Sequence, residues 1–181
     1  MDNIHSSFQD QHVQKKLKEV LSREKMVQLQ EFLYPPFAEN LLQDISFLSF
    51  KDIFDPRQKK ITSAESSPKI KSTLEPCTLF LERFFNKKIK SFTILVAEKG
   101  SYTVMTDFQK PEQGYDAVLD LTQEWNPSWG GLLYYSSKKE KKAVPCGYKS
   151  ITLIKKENTK KYLKYINHYA KRKRIFILFS V

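Results

Sequence analysis

Cysteine is scarce in this chain: Cys77 and Cys146 are the only two among 181 residues. Neither has a partner at metal-ligand spacing, so neither a disulfide framework nor a zinc finger is supported, and both read as free thiols. Glycine is scarce too, at five residues, and no G-x-x-x-x-G-K-[ST] occurs, which removes a glycine-rich phosphate loop. No nucleophile elbow accompanies His168, so a Ser-His-Asp hydrolase has no support. No apolar run approaches the roughly 20 residues that cross a bilayer, so no membrane partner is expected. The segment Met1 to Glu19 is polar, with neither a basic n-region nor an apolar h-region. No secretory signal is visible in it, and the expected location is the cytoplasm.

What is present is a sizeable core and an uneven charge. With 40% hydrophobic and 13% aromatic residues, the chain has the material for one ordinary domain. Its net charge of +11 is concentrated between Lys138 and Arg174, where fourteen Lys/Arg face only Glu140 and Glu157. Such a segment is either a solvated basic face or an attractor for nucleic acid, ribosomes or acidic proteins through counterion release and steering.

Apolar periodicity predicts helices first and strands second. Val13, Leu17, Val20 and Leu21 recur at helical spacing, and Met26, Leu29, Phe32 and Leu33 extend the pattern until Pro35 and Pro36 end it. Phe37, Leu41, Leu42, Ile45 and Leu48 predict a further amphipathic helix. Residues Asp55 to Thr73 read as a long surface loop, and Pro76 fits the first turn of another helix anchored by Leu79, Phe80, Phe84 and Phe85.

Beyond Lys88 the pattern changes to strands. These are Ser91 to Glu98, a turn at Lys99-Gly100, Ser101 to Met105, Tyr115 to Leu121, Gly131 to Tyr135, Tyr148 to Ile154 and Arg174 to Val181. Glu157 to Asn167 fits either a helix or a strand edge. Asp116 and Asp120 share one strand face and read as solvated edge carboxylates. The expectation is an α+β layout, helices covering one face of a sheet sandwich, with no repeat and no second domain.

The most distinctive stretch is Asp120-Leu121-Thr122-Gln123-Glu124-Trp125-Asn126-Pro127-Ser128-Trp129-Gly130-Gly131-Leu132-Leu133-Tyr134. A strand ends, a turn forms around Trp125, Asn126 and Pro127, and two glycines let the backbone swing into the next strand. Two tryptophans framing Asn-Pro and leading into Gly-Gly resemble the prolyl-hydroxylase-like branch of the iron(II)- and 2-oxoglutarate-dependent oxygenases. The resemblance spans roughly residues 30 to 181. It implies a double-stranded β-helix (jelly-roll) core at 89–181, with an N-terminal helical region, 1–88, packed on it as one structural domain.

The resemblance also implies a site. Such a site holds iron(II) on two histidines and one carboxylate, with open positions for 2-oxoglutarate and dioxygen. Asp107 would be the carboxylate and His168 the second histidine. Arg174, opening the last strand, would bind 2-oxoglutarate, with Tyr102 beside it. Met105-Thr106-Asp107 stands where the family has H-x-D, and a thioether is a soft ligand poorly suited to ferrous iron. The remaining histidines, His5 and His12, belong to the N-terminal arm.

Three functions follow. One is a hydroxylase acting on a protein or peptide with Fe(II), O2 and 2-oxoglutarate. The second is a pseudoenzyme that keeps the fold and binds a protein partner. The third is a nucleic-acid or ribosome binder using the Lys138 to Arg174 segment. Fold alone does not choose among them.

Overall fold

A computed structural model describes residues 3–52, 58–64, 67–103 and 109–181. Helix α1 (Gln11–Glu24) opens the chain. The Asp10 carboxylate caps it by accepting the His12 and Val13 N–H groups at 2.7 and 3.1 Å, which satisfies two of the donors a helix start leaves free. Lys25 takes the left-handed conformation (φ 63°), and its N–H closes on the Leu21 carbonyl. That cap stops the helix, so Met26 and Leu29 do not continue it as expected. Met26–Leu29 is instead strand β1, antiparallel to Ile151–Ile154.

The prolines also act differently from the sequence reading. Pro35 does not end a helix but starts one, α2 (Pro35–Ser46), at the position where a missing N–H costs nothing. Helix α3 (Pro68–Phe85) begins with Pro68 behind the Ser67 cap, and Pro76 lies in its interior. An interior proline costs about 3 kcal/mol. The stripe Ile70, Leu74, Cys77, Leu81 and Phe84, each no more than 1% exposed, offsets this, since fully burying one large apolar side chain is worth about 1.5–3 kcal/mol.

The strands are β2 (Lys51–Asp52), β3 (Gln58–Ala64), β4 (Ser91–Thr103), β5 (Glu112–Asp120), β6 (Leu133–Ser136), β7 (Lys141–Ala143), β8 (Ser150–Leu163) and β9 (Arg174–Ser180). Gln58–Ala64 and the start of α3 therefore replace much of the loop expected at 55–73, whose residues 55–57 and 65–66 lie outside the described set. The expected turn at Lys99-Gly100 is a bulge within one continuous strand. Pairing with β3 jumps there from Ala97 to Tyr102, and Gly100 sits at φ 86°. The ambiguous segment after Glu157 resolves as strand through Leu163.

All described pairings are antiparallel, in the order β2-β3-β4-β9-β5-β8-β6-β7, with β1 on β8. The sheet curls because β8 serves two layers. Residues 151–154 lie between β5 and β1, whereas 160–163 pair with β6. Residue parity then divides the molecule. Ala117, Leu119, Leu121, Ile151, Leu153, Ile177 and Phe179 face the three helices, which gives the expected α+β arrangement. Val118, Ile154, Leu163, Phe176, Leu133 and Tyr135 face the space between the two layers.

Candidate functional site

The helix-covered face of the sheet is apolar, whereas most of the buried charge lies on the other face. Along β5, Asp116, Val118 and Asp120 alternate inward; Arg174 and Phe176 do so on β9, and Ile154 and Lys156 on β8. Asp116 and Asp120 are 0% and 1% exposed, which corrects their reading as solvated edge carboxylates. The reason is topological: β5 is a central strand with β9 on one side and β8 on the other. A buried carboxylate needs a counter-ion or full hydrogen bonding, and both aspartates have one.

Around Asp116 the network joins both layers. Tyr135, from β6, donates its hydroxyl to Asp116 Oδ2 at 2.7 Å. Lys156 Nζ lies 2.6 Å from Asp116 Oδ1 and 2.9 Å from Glu112 Oε2. Lys161 Nζ lies 3.3 Å from Asp116 Oδ2 and 3.2 Å from Glu112 Oε2. Two carboxylates thus meet two ammonium groups. Burial alone would pull the Lys156 pKa down, but the hydrogen bonds and charges of Asp116 and Glu112 outweigh it and the net direction is up. Burial likewise raises the Glu112 pKa, and Lys156 with Lys161 reverses that to a net lowering. Burial first, and then the Asp116 charge, pushes the Tyr135 phenol well above its ordinary range, so it stays a donor.

Asp120 anchors a second unit. Its Oδ2 accepts from Arg174 Nη1 at 2.9 Å and from the Gly147 N–H at 3.1 Å, and its Oδ1 accepts from the Thr122 N–H at 2.9 Å. Arg174 is 0% exposed. Its guanidinium carbon lies 5.5 Å from the Trp125 ring centroid and 5.7 Å from that of Phe176. Its Nε and Nη2 are buried without a hydrogen-bond acceptor among the described residues.

The Trp125–Gly131 turn forms much as its chemistry suggests. Trp125 Nε1 donates to the Gly130 carbonyl at 3.1 Å, Asn126 Oδ1 accepts the Ser128 N–H at 2.9 Å, and the two indoles meet edge to face at 5.2 Å. Gly130 has φ 79°, and a Cβ there would lie 2.2 Å from the Tyr165 carbonyl oxygen. Gly130→Ala is therefore expected to lower stability by about 2 kcal/mol, through left-handed strain and a backbone clash. Urea denaturation checks this, and an unchanged midpoint would contradict it.

The other residues singled out in the sequence divide into described and undescribed ones. Met105 and Asp107 lie outside the described residues. His168 sits exposed in the turn after β8, its ring 3.9 Å from that of Tyr169. Tyr102 is half-buried, its ring 6.2 Å from Tyr165. His5 stacks on Tyr34 at 5.3 Å, and His12 lies in α1. The basic segment does not form one face: Lys156, Lys161 and Arg174 point inward, and Lys142, Lys149, Lys155, Arg172 and Lys173 each pair with a glutamate. Sequence reasoning missed Glu112, Tyr135, Lys156 and Lys161 as site residues. The one signal available was the i, i+2, i+4 series Asp116, Val118, Asp120.

By sequence, no protein-family model and no curated protein matches the chain. By structure, it is similar to a Pseudomonas putida prolyl-4-hydroxylase (TM-score 0.67, 12% identity, covering 92% of this chain and 96% of that one). It is also similar to a Trichoplax adhaerens prolyl hydroxylase in complex with a hypoxia-inducible-factor peptide fragment (TM-score 0.69, 12% identity, 93% and 89%). A third likeness is to a 2OG-Fe(II) oxygenase family oxidoreductase from Burkholderia pseudomallei (TM-score 0.69, 12% identity, 92% and 89%). The chain has the fold of the 2-oxoglutarate/iron(II) oxygenases, with prolyl hydroxylases among its structural neighbours.

The interior itself can be tested against the cofactors that this fold implies. Arg174 has the right chemistry for a carboxylate, since its Nε and Nη2 edge is free and buried. It is, however, already neutralised by Asp120 and flanked by Trp125 and Phe176. Among the described residues no three His, Cys, Asp or Glu side chains form a group that could hold a metal. The described carboxylates that face the interior hold lysine ammonium or arginine guanidinium groups, which repel a divalent cation. Burial, the largest influence on Cys146, pushes its thiol up to about 11. The described side chains form no group that fits iron(II), whereas the Nε and Nη2 edge of Arg174 is open to a carboxylate while Nη1 stays on Asp120.

Proposed function

We propose that this chain is a binding domain built on the oxygenase fold, its interior closed by ion pairs and not turning over 2-oxoglutarate. The observation that carries this reading is the Asp116, Glu112, Lys156, Lys161 and Tyr135 network. It spans both layers of the barrel with its charges balanced. A catalytic carboxylate must keep a lone pair for metal or proton; among the described residues the inward carboxylates face lysines, a tyrosine, an arginine and backbone N–H groups. The peptide bound by the Trichoplax neighbour is the precedent for a protein or peptide partner.

The second reading, a hydroxylase using Fe(II) and 2-oxoglutarate, is favoured by one observation, the unpaired Nε and Nη2 edge of Arg174. An anaerobic titration of the purified protein with Fe(II) and 2-oxoglutarate decides between the two. No saturable visible charge-transfer band is expected, in the wild type or in His168→Ala. A saturable band that His168→Ala abolishes would overturn the binding-domain reading and restore Asp107, His168 and Arg174 as a working site.

A further inference from the structure

The turn that carries His168 has features that the barrel interior does not explain. Tyr165 is 51% exposed and Tyr169 67%. Among the described residues only Phe47 and Leu79 are comparably exposed large apolar side chains. The His168 ring lies against Tyr169, extending that aromatic surface. His168 and Tyr169 form one exposed aromatic pair, and contiguous exposed apolar surface is what marks an interaction site.

These rings stand on a fixed backbone. The Gly131 N–H donates to the Tyr165 carbonyl, and the Ile166 N–H to the Ser101 carbonyl at 2.9 Å. The Asn167 N–H reaches the Trp129 carbonyl at 2.9 Å, and its side-chain amide the Ser128 carbonyl at 2.8 Å. The turn is thereby stitched to β4 on one side and to the Trp125–Gly131 turn on the other, so its rings are held out without a large ordering cost on binding.

The charge on this segment of the chain is positive. From Lys164 to Lys173 the chain carries Lys164, Lys171, Arg172 and Lys173 and no acidic residue, and all four are exposed. Glu124 pairs Arg172 at 2.5 Å and Glu98 stands 3.9 Å from Lys173. Neither Lys164 nor Lys171 forms an ion pair with any described residue.

We propose that this rim binds single-stranded RNA. Unpaired bases would stack on Tyr165 and Tyr169, and the backbone phosphates would run along Lys164 and Lys171, the two cations of the segment without a glutamate partner among the described residues. An acidic peptide without aromatic or apolar side chains would meet the cations alone and leave the rings uncovered. A duplex hides the base faces that the rings would receive, and unpaired bases are the common state of RNA loops and ends. The inference goes beyond the binding-domain reading without depending on it, because the rim lies outside the barrel.

Fluorescence anisotropy with a labelled oligouridylate of about twelve nucleotides, a length within the usual range of single-strand sites, tests it. Saturable binding is expected, with log K falling against log salt at a slope of about −1.4 for two phosphate contacts. Tyr165→Ala and Tyr169→Ala should each weaken binding about tenfold and leave the slope unchanged. Lys164→Gln with Lys171→Gln should shrink the slope by about 1.4. Affinity unchanged in both tyrosine variants would overturn the proposal, as would polyglutamate competing as well as the oligonucleotide. The iron titration reads a different site, so either result stands whatever the other gives.

Discussion

Replacement of Asp116 by alanine is expected to lower the unfolding free energy by about 3–5 kcal/mol, the usual consequence of removing one member of a buried ion pair. The penalty comes from what remains. Lys156, 6% exposed, would keep only Glu112, and the Tyr135 hydroxyl would lose its acceptor in a fully buried position. Replacing the pair together, as Asp116→Leu with Lys156→Met, should recover the part of the loss that comes from the stranded lysine, while the Tyr135 hydroxyl stays without its acceptor. Urea denaturation of wild type, single and double variants checks both. A single variant within about 1 kcal/mol of wild type would mean that water or alternative partners compensate the lysine.

The same network sets a pH signature. Glu112 has a lowered pKa in the fold, so its contribution is present above its ordinary value of 4.5 and is lost as pH falls through the folded value. Lys156 has a raised pKa, so its contribution is present below 10.5 and is lost as pH rises through the folded value. Tyr135, also raised, loses its contribution in the same alkaline direction. Stability from this cluster is therefore flat through neutral pH and falls at both extremes. Asp116→Ala should flatten the alkaline limb in particular, because Asp116 supplies the leading upward influence on Lys156.

Why the sequence revealed one part of this molecule and concealed another can be traced to particular residues. The Trp125–Gly131 turn was legible because its chemistry is local: Asn126 caps its own turn and Trp125 reaches a carbonyl five residues away. Alternation correctly placed Asp116 and Asp120 on one face, opposite Leu119, yet their burial was invisible. The cations that permit it lie 45 residues on for Lys161 and 54 for Arg174, and a polar residue without a visible partner is read as solvated. The prolines show the same limit. Pro76 looked like a helix start because propensity acts locally, whereas the buried stripe from Ile70 to Phe84 recruits packing from the whole sheet. Charge density misled in the opposite direction, since Lys156, Lys161 and Arg174 counted toward a basic surface and turned inward instead.

Arg174 gives the second large effect. Arg174→Met should cost about 3–5 kcal/mol, because Asp120 would remain buried as an anion held only by the Thr122 and Gly147 N–H groups. Asp120→Asn should cost a similar amount by leaving the guanidinium without a counter-ion between Trp125 and Phe176. If the pair is structural, the double variant should be less destabilised than the sum of the singles by about 1–3 kcal/mol, the range for directly contacting residues. The wild type should then show no thermal shift with 2-oxoglutarate. If Arg174 instead serves an incoming carboxylate, 2-oxoglutarate should raise the melting temperature of the wild type and raise it further in Asp120→Asn, where the competing carboxylate is gone. The two outcomes separate because Asp120 has opposite roles in them: in a closed interior it is the partner that makes Arg174 tolerable, and in an open one its negative charge repels a carboxylate arriving at the free Nε and Nη2 edge.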